Sequence, residues 1–153
     1  MEFSIGGTFF SDEKPKYEYV ADEFSINYEG SKTATCGGIL FGDISVEVDA
    51  NGCLLYASGL CPSSLWKSRI LKVPEHSFSK VIVSVDGGFT DGVYHRYDEK
   101  QRWTISVDKK NKVLCIGNPD AEGQSVCISP GLVLTIFNGQ PLALWFYDLR
   151  GLS

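Results

Sequence analysis

Apolar and polar residues alternate with a period of two along much of the chain, which is the pattern of strands with one buried face. It is cleanest where Ile44, Val46 and Val48 alternate with Ser45, Glu47 and Asp49. Asp49-Ala50-Asn51-Gly52 follows, and Asn and Gly tolerate the positive φ that a tight turn requires. CLLYASG then returns, so this stretch predicts a hairpin. A second hairpin is predicted from Trp103, Ile105 and Val107, the turn DKKNK, and then Val113 and Cys115. A third runs through LVLTIF (132–137), turns at Asn138-Gly139 and returns as LALWFY (142–147). LVLTIF is apolar on both faces and reads as a buried inner strand. FSKVIVSV (78–85) is a β-branched run of strand length.

The first thirty residues are less regular. Phe3, Ile5, Phe9 and Phe10 surround Gly6-Gly7 and predict a first short strand that ends in the polar turn SDEKPK. In YEYVADEFSINYEG, Tyr17, Tyr19 and Ala21 alternate with Glu18 and Asp22. Phe24, Ile26 and Tyr28 continue the alternation after a one-residue slip at Asp22-Glu23, which reads as a β-bulge or as two successive strands. Downstream, Pro62 suits the first turn of a helix, with Cys61 or Ser63 near the cap, and predicts one short helix near 62–72. Val73-Pro74 ends it. Eight to ten short strands with turn signals every 8–12 residues or so predict a mainly β protein. The expected architecture is an antiparallel β-sandwich, with a partly open barrel as the alternative, forming a single β-rich domain over residues 1–153.

Charge placement sharpens this picture. The net charge of the 153 residues is −5. Residues 1–30 hold seven acidic side chains (Glu2, Asp12, Glu13, Glu18, Asp22, Glu23, Glu29) against Lys14 and Lys16, while the rest of the chain balances twelve against twelve. Such a surface suits a basic protein and excludes nucleic acid, whose phosphates need a basic footprint. The N-terminus lacks the basic stretch of a signal peptide, and no apolar run reaches the roughly 20 residues that span a bilayer. A cytoplasmic chain with no membrane partner is expected. Five cysteines, with Cys53, Cys115 and Cys127 inside apolar strand patterns, read as reduced structural thiols.

Catalytic chemistry finds little support. His76 and His95 are the only histidines, and nothing in the spacing pairs them. Cys61 is the one cysteine placed to feel a helix N-terminus, but it has no partner base in the pattern. No C-x-x-C occurs, and DGGFTDG (86–92) carries too few carboxylates for a calcium loop and lacks the lysine of a P-loop. No catalytic residue, cofactor or metal is assigned, and the chain is expected not to be an enzyme. Trp66, Trp103 and Trp145 read as core anchors, or as the lining of a ligand pocket with DGGFTDG as its lid.

Tyrosines beside acids have the composition of a protein-binding face. The expected contact residues are Asp12, Glu13, Tyr17, Glu18, Tyr19, Asp22, Glu23, Tyr28 and Glu29. In size, charge and strand-rich pattern, the chain resembles the immunity proteins of bacterial toxin–immunity systems, including the partners of contact-dependent growth-inhibition toxins. The segments that prompt the comparison are SDEKPKYEYVADEF and YASGLCPSSLWKSRIL, the latter with G-x-x-P-x-x-x-W spacing. The resemblance implies an inhibitor that neutralises a cognate toxin domain, a basic nuclease, by protein–protein blockade. The alternative expectation is a small-molecule or carbohydrate-binding β-module.

Overall fold

The structure, a computed structural model, describes residues 1–97 and 103–153. Among them are fourteen strands: β1 (Glu2–Phe9), β2 (Tyr17–Val20), β3 (Ser25–Tyr28), β4 (Gly38–Phe41), β5 (Ile44–Val48), β6 (Leu54–Leu60) and β7 (Trp66–Ser68) in the first half. β8 (Ser77–Ser84), β9 (Tyr94–Arg96), β10 (Ile105–Asp108), β11 (Val113–Gly117), β12 (Gln124–Ser129), β13 (Leu132–Phe137) and β14 (Gln140–Phe146) follow.

They form two sheets. An eight-stranded sheet runs β1-β8-β12-β13-β14-β11-β10-β7, and a six-stranded sheet runs β2-β3-β6-β5-β4-β9. The sheets pack face to face as a sandwich, and no closed barrel forms. Most neighbours are antiparallel, but β7–β10, β8–β12 and β4–β9 pair parallel, so both sheets are mixed.

All three expected hairpins are present, as β5–β6, β10–β11 and β13–β14. Their turns use the local chemistry the residues offer. Asp49 accepts the backbone N–H groups of Asn51 and Cys53 on one carboxylate oxygen, at 2.9 and 3.0 Å. Asn138 and Gly139 both take positive φ, 50° and 73°, as a two-residue hairpin of this hand demands.

The helix expected near 62–72 does not form. Ser63–Leu65 make one 3-10 turn, and Trp66–Ser68 then extend as β7 alongside β10. Pro62 starts a helical turn as its fixed φ allows, but a parallel edge pairing with Ile105, Ser106 and Val107 captures the following residues. The predicted slip at Asp22-Glu23 is a 3-10 turn, Ala21–Glu23, between β2 and β3.

The core lies between the sheets. Phe41, Ile39, Val46 and Ile26 from the smaller sheet meet Leu114, Leu134, Leu144 and Phe146 from the larger one. A second apolar cluster covers the outer face of the larger sheet, where Leu71 packs with Val113, Cys127, Val133 and Trp145. This strap, residues 69–76, is why β13 is buried on both faces, with only Phe137 at its end exposed. All five cysteines are free thiols, and four of them are buried.

Candidate protein-binding surface

β2 and β3 pair antiparallel and form one margin of the smaller sheet, joined by the 3-10 turn. Alternation sends Tyr17 and Tyr19 to one face and Glu18 to the other. The inward face is the core: Tyr17 is fully buried and Tyr19 is 5 % exposed. The Tyr17 hydroxyl lies 2.5 Å from Ser129 Oγ on the opposite sheet and accepts the Ala57 N–H at 3.1 Å. Its ring packs edge-on against Phe146. Burial pushes its phenol well above the ordinary tyrosine value. The Tyr19 hydroxyl donates to the Cys61 carbonyl at 3.0 Å, and its ring meets Trp66 edge-on with centroids 4.8 Å apart. The expectation that these two tyrosines face a partner is therefore corrected: they join the sheets, and the carboxylates beside them are what reaches solvent. Tyr28, at the end of β3, is half-buried.

The acids separate into two groups at the ends of this hairpin, roughly 13 Å apart for four-residue strands. Asp22 and Glu23 are exposed on the 3-10 turn at one end, with Glu18 half-buried on β2. Glu23 accepts hydrogen bonds from Ser25 Oγ at 3.3 Å and Asn27 Nδ2 at 3.4 Å. Asp12, Glu13 and Glu29 are exposed at the other end, where the Glu29 N–H donates to the Lys16 carbonyl at 2.6 Å. Glu2 lies elsewhere, on β1 opposite Ser84. Along its open side, β2 meets the C-terminal segment, with the Tyr19 N–H donating to the Arg150 carbonyl at 2.7 Å. Among the described residues, the one ion pair within 4.0 Å is Arg69–Asp120, on the other sheet's side of the molecule, so it leaves these carboxylates free of a salt-bridged cation.

The 3-10 turn ends on Phe24, which holds φ 54° and ψ 37°. A bulky aromatic in the left-handed region is uncommon and strained by about 1–2 kcal/mol. Phe24 is nevertheless 53 % exposed. Its carbonyl accepts the Cys61 N–H at 2.6 Å, which places it against the end of β6. Leu60, opposite Ser25 in the ladder, and Leu65, closing the next 3-10 turn, are also more than half exposed. Phe24 and Leu60, on hydrogen-bonded neighbouring segments, thus stand at the end of the hairpin that carries Asp22 and Glu23. Neither Phe24 nor Leu60 stands out as a contact residue in the sequence. Alternation put Phe24 in phase with buried Ile26 and so gave no signal; its exposure comes from the left-handed backbone at the end of the 3-10 turn, which sets it at a corner.

His76 precedes β8 in the larger sheet, with Nδ1 2.9 Å from the Pro74 carbonyl and its ring against Tyr147. His95 lies on β9 at the margin of the smaller sheet, edge-on to Phe89. Cys61 is buried, its sulfur accepts the Trp66 indole N–H at 3.4 Å, and burial pushes the thiol up to about 11, away from nucleophilic character. Trp145 is buried and donates to Thr135 Oγ1 at 3.1 Å, while Trp66 and Trp103 pack against the core. Among the described residues no group of three or more His, Cys, Asp or Glu side chains could hold a metal ion. Nor is any helix among them long and apolar enough to cross a membrane.

The geometry defines a class: a two-sheet β-sandwich with an acidic hairpin on one margin and an exposed aromatic at the corner of that hairpin. Neither a protein-family model nor a curated protein matches the chain.

Proposed function

We propose that this protein is an immunity-type inhibitor that binds a cognate basic toxin domain through the β2–β3 hairpin and blocks it sterically. The observation that carries the reading is the corner at residues 22–24. There a strained, exposed Phe24 stands with Leu60, its neighbour across the β3–β6 ladder, beside carboxylates that have no salt-bridged cation among the described residues. The left-handed backbone at this position caps the turn, a role Gly or Asn fills without strain, so an exposed phenylalanine kept there at a cost points to function. An apolar centre with a charged rim is the layout of a protein interface whose energy is concentrated in a few residues.

The electrostatics fit a basic target. The whole acidic excess of the chain lies in residues 1–30, and most of it flanks this hairpin. Carboxylates on this margin would take the place that a nuclease reserves for its substrate's phosphates, and complementary charge would speed association. The inhibitor acts by occlusion, in the cytoplasm where the toxin acts, and no cofactor enters the mechanism.

Titration calorimetry against the product of the adjacent upstream reading frame tests the proposal. Binding with submicromolar affinity, together with rescue of cells that express that product, is the expected result. Absence of binding, or a neighbour that is harmless in cells, overturns it.

A further inference from the structure

The other end of the same hairpin opens into a cleft of about 420 Å³, within the usual range of roughly 300–1,000 Å³ for ligand sites. Its walls come from both sheets. Phe9 and Phe78 pack together on the larger sheet with ring centroids 5.9 Å apart. Tyr28 and Tyr56 stack on the smaller sheet, 4.7 Å apart and within 8° of parallel. Phe10 stands at the rim, 89 % exposed. Such a grouping cannot be a sealed piece of core, because solvent reaches the aromatic edges and the polar Ser31 and Thr33 that also line it.

Among the described residues, Glu13 is the one charged side chain on the lining. A second carboxylate lies just behind the tyrosine pair. Glu47 is the cross-strand neighbour of Tyr56 and is 8 % exposed. It accepts the Tyr94 hydroxyl on both of its oxygens, at 2.8 and 2.9 Å. Tyr94 reaches it because its ring lies over Gly38, where a Cβ would fall 2.8 Å from the ring. Burial, and then Glu13, holds the Tyr28 phenol above its ordinary value, and burial with Glu47 does the same for Tyr56. The stacked pair therefore stays neutral at physiological pH in a negative field.

Aromatic faces carry negative potential, and a carboxylate at their edge adds to it. A cleft of this kind repels anions and takes a cation whose apolar stem can lie along the rings. Of the natural cationic side chains, arginine fits best. Its planar guanidinium can stack on a tyrosine face and still fork to a carboxylate, whereas lysine presents a strongly hydrated point charge. We propose that this cleft receives an arginine side chain of the basic partner, packed against the cleft side of the Tyr28–Tyr56 stack and paired with Glu13. The inference rests on the protein-partner reading above and adds a second anchor, one hairpin length from Phe24.

The test needs no partner. The intact protein is titrated with N-acetyl-arginine amide, its lysine counterpart and the neutral isostere N-acetyl-citrulline amide, while the ring resonances of Tyr28 and Tyr56 are followed by NMR. Arginine amide should shift both rings at millimolar concentration, lysine amide should do so more weakly, and citrulline amide should not. Glu13→Gln, at an exposed position that leaves the fold intact, should weaken arginine binding about tenfold. Equal binding of citrulline, an unchanged Glu13→Gln, or ring shifts with a neutral glucose oligomer in place of arginine would overturn the proposal. If arginine binds here while the neighbouring gene's product does not bind, the partner assignment fails and the cation cleft stands. If the product binds and arginine amide leaves the rings unmoved, the cleft proposal fails alone.

Discussion

Tyr17 and Glu18 are adjacent in the chain and serve opposite sides of a sheet. Period two put both facts within reach of the sequence, yet composition had grouped the tyrosines with the acids as one surface. The structure divides them, with Tyr17 tying β2 to Ala57 and Ser129. Tyr17→Phe would leave the buried Ala57 N–H without its acceptor. It should lower stability in denaturant unfolding by about 1–3 kcal/mol while leaving partner affinity unchanged. The same phenol gives an alkaline signature. Its folded value is raised, so its contribution is complete below the unfolded tyrosine value of 10.0 and is lost as pH rises beyond it. Wild type should therefore lose stability above that pH more steeply than Tyr17→Phe in parallel melts. Phe24 behaves in the opposite manner. Phe24→Asn replaces a residue strained at φ 54° with one that tolerates it, so melting temperature should hold or rise. Partner affinity should fall by about 2 kcal/mol or more, the loss typical of an interface anchor.

At the level of elements, the turns were the legible part. Asp49 to Gly52 and Asn138-Gly139 carry their geometry in their own side chains, and the hairpins follow from them. The segment after Pro62 was not legible in the same way. Its fate as β7 depends on β10, nearly forty residues away, and nothing local announces that partner. The strap at 69–76 is another long-range event. The Leu71 N–H donates to Asp108 at 2.9 Å, and Asn111 donates to the same carboxylate at 2.8 Å. These bonds, the Leu71 N–H foremost, hold Asp108 below its ordinary value of 3.8. A depressed value stabilises the fold at pH above the ordinary carboxylate range, and that contribution is lost as pH falls through the folded value. Asp108→Asn should lower the melting temperature at neutral pH, and the gap to wild type should close in acid. A constant gap across the titration would remove the carboxylate from the account.

Across the whole molecule, the two-sheet sandwich was legible from alternation and turn spacing, and the acidic margin only in part. The charge count pointed to residues 1–30. It could not show that folding would split those acids between two ends of a hairpin, or add Phe24 and Leu60 at one end and the Phe9, Tyr56 and Phe78 walls at the other. Those groupings come from strands distant in sequence and leave no local trace. Their common consequence is that binding should depend on the hairpin's charge. The most direct measurement is the association rate of this protein with the product of the adjacent upstream reading frame, by stopped flow, across a range of salt. Wild type is compared with Asp22→Lys/Glu23→Lys. The wild-type rate should fall steeply as salt rises, and the variant should associate at least about tenfold more slowly at low salt with a flattened salt dependence. Rates that coincide for the two proteins at every salt concentration would contradict the acidic hairpin as the site of recognition.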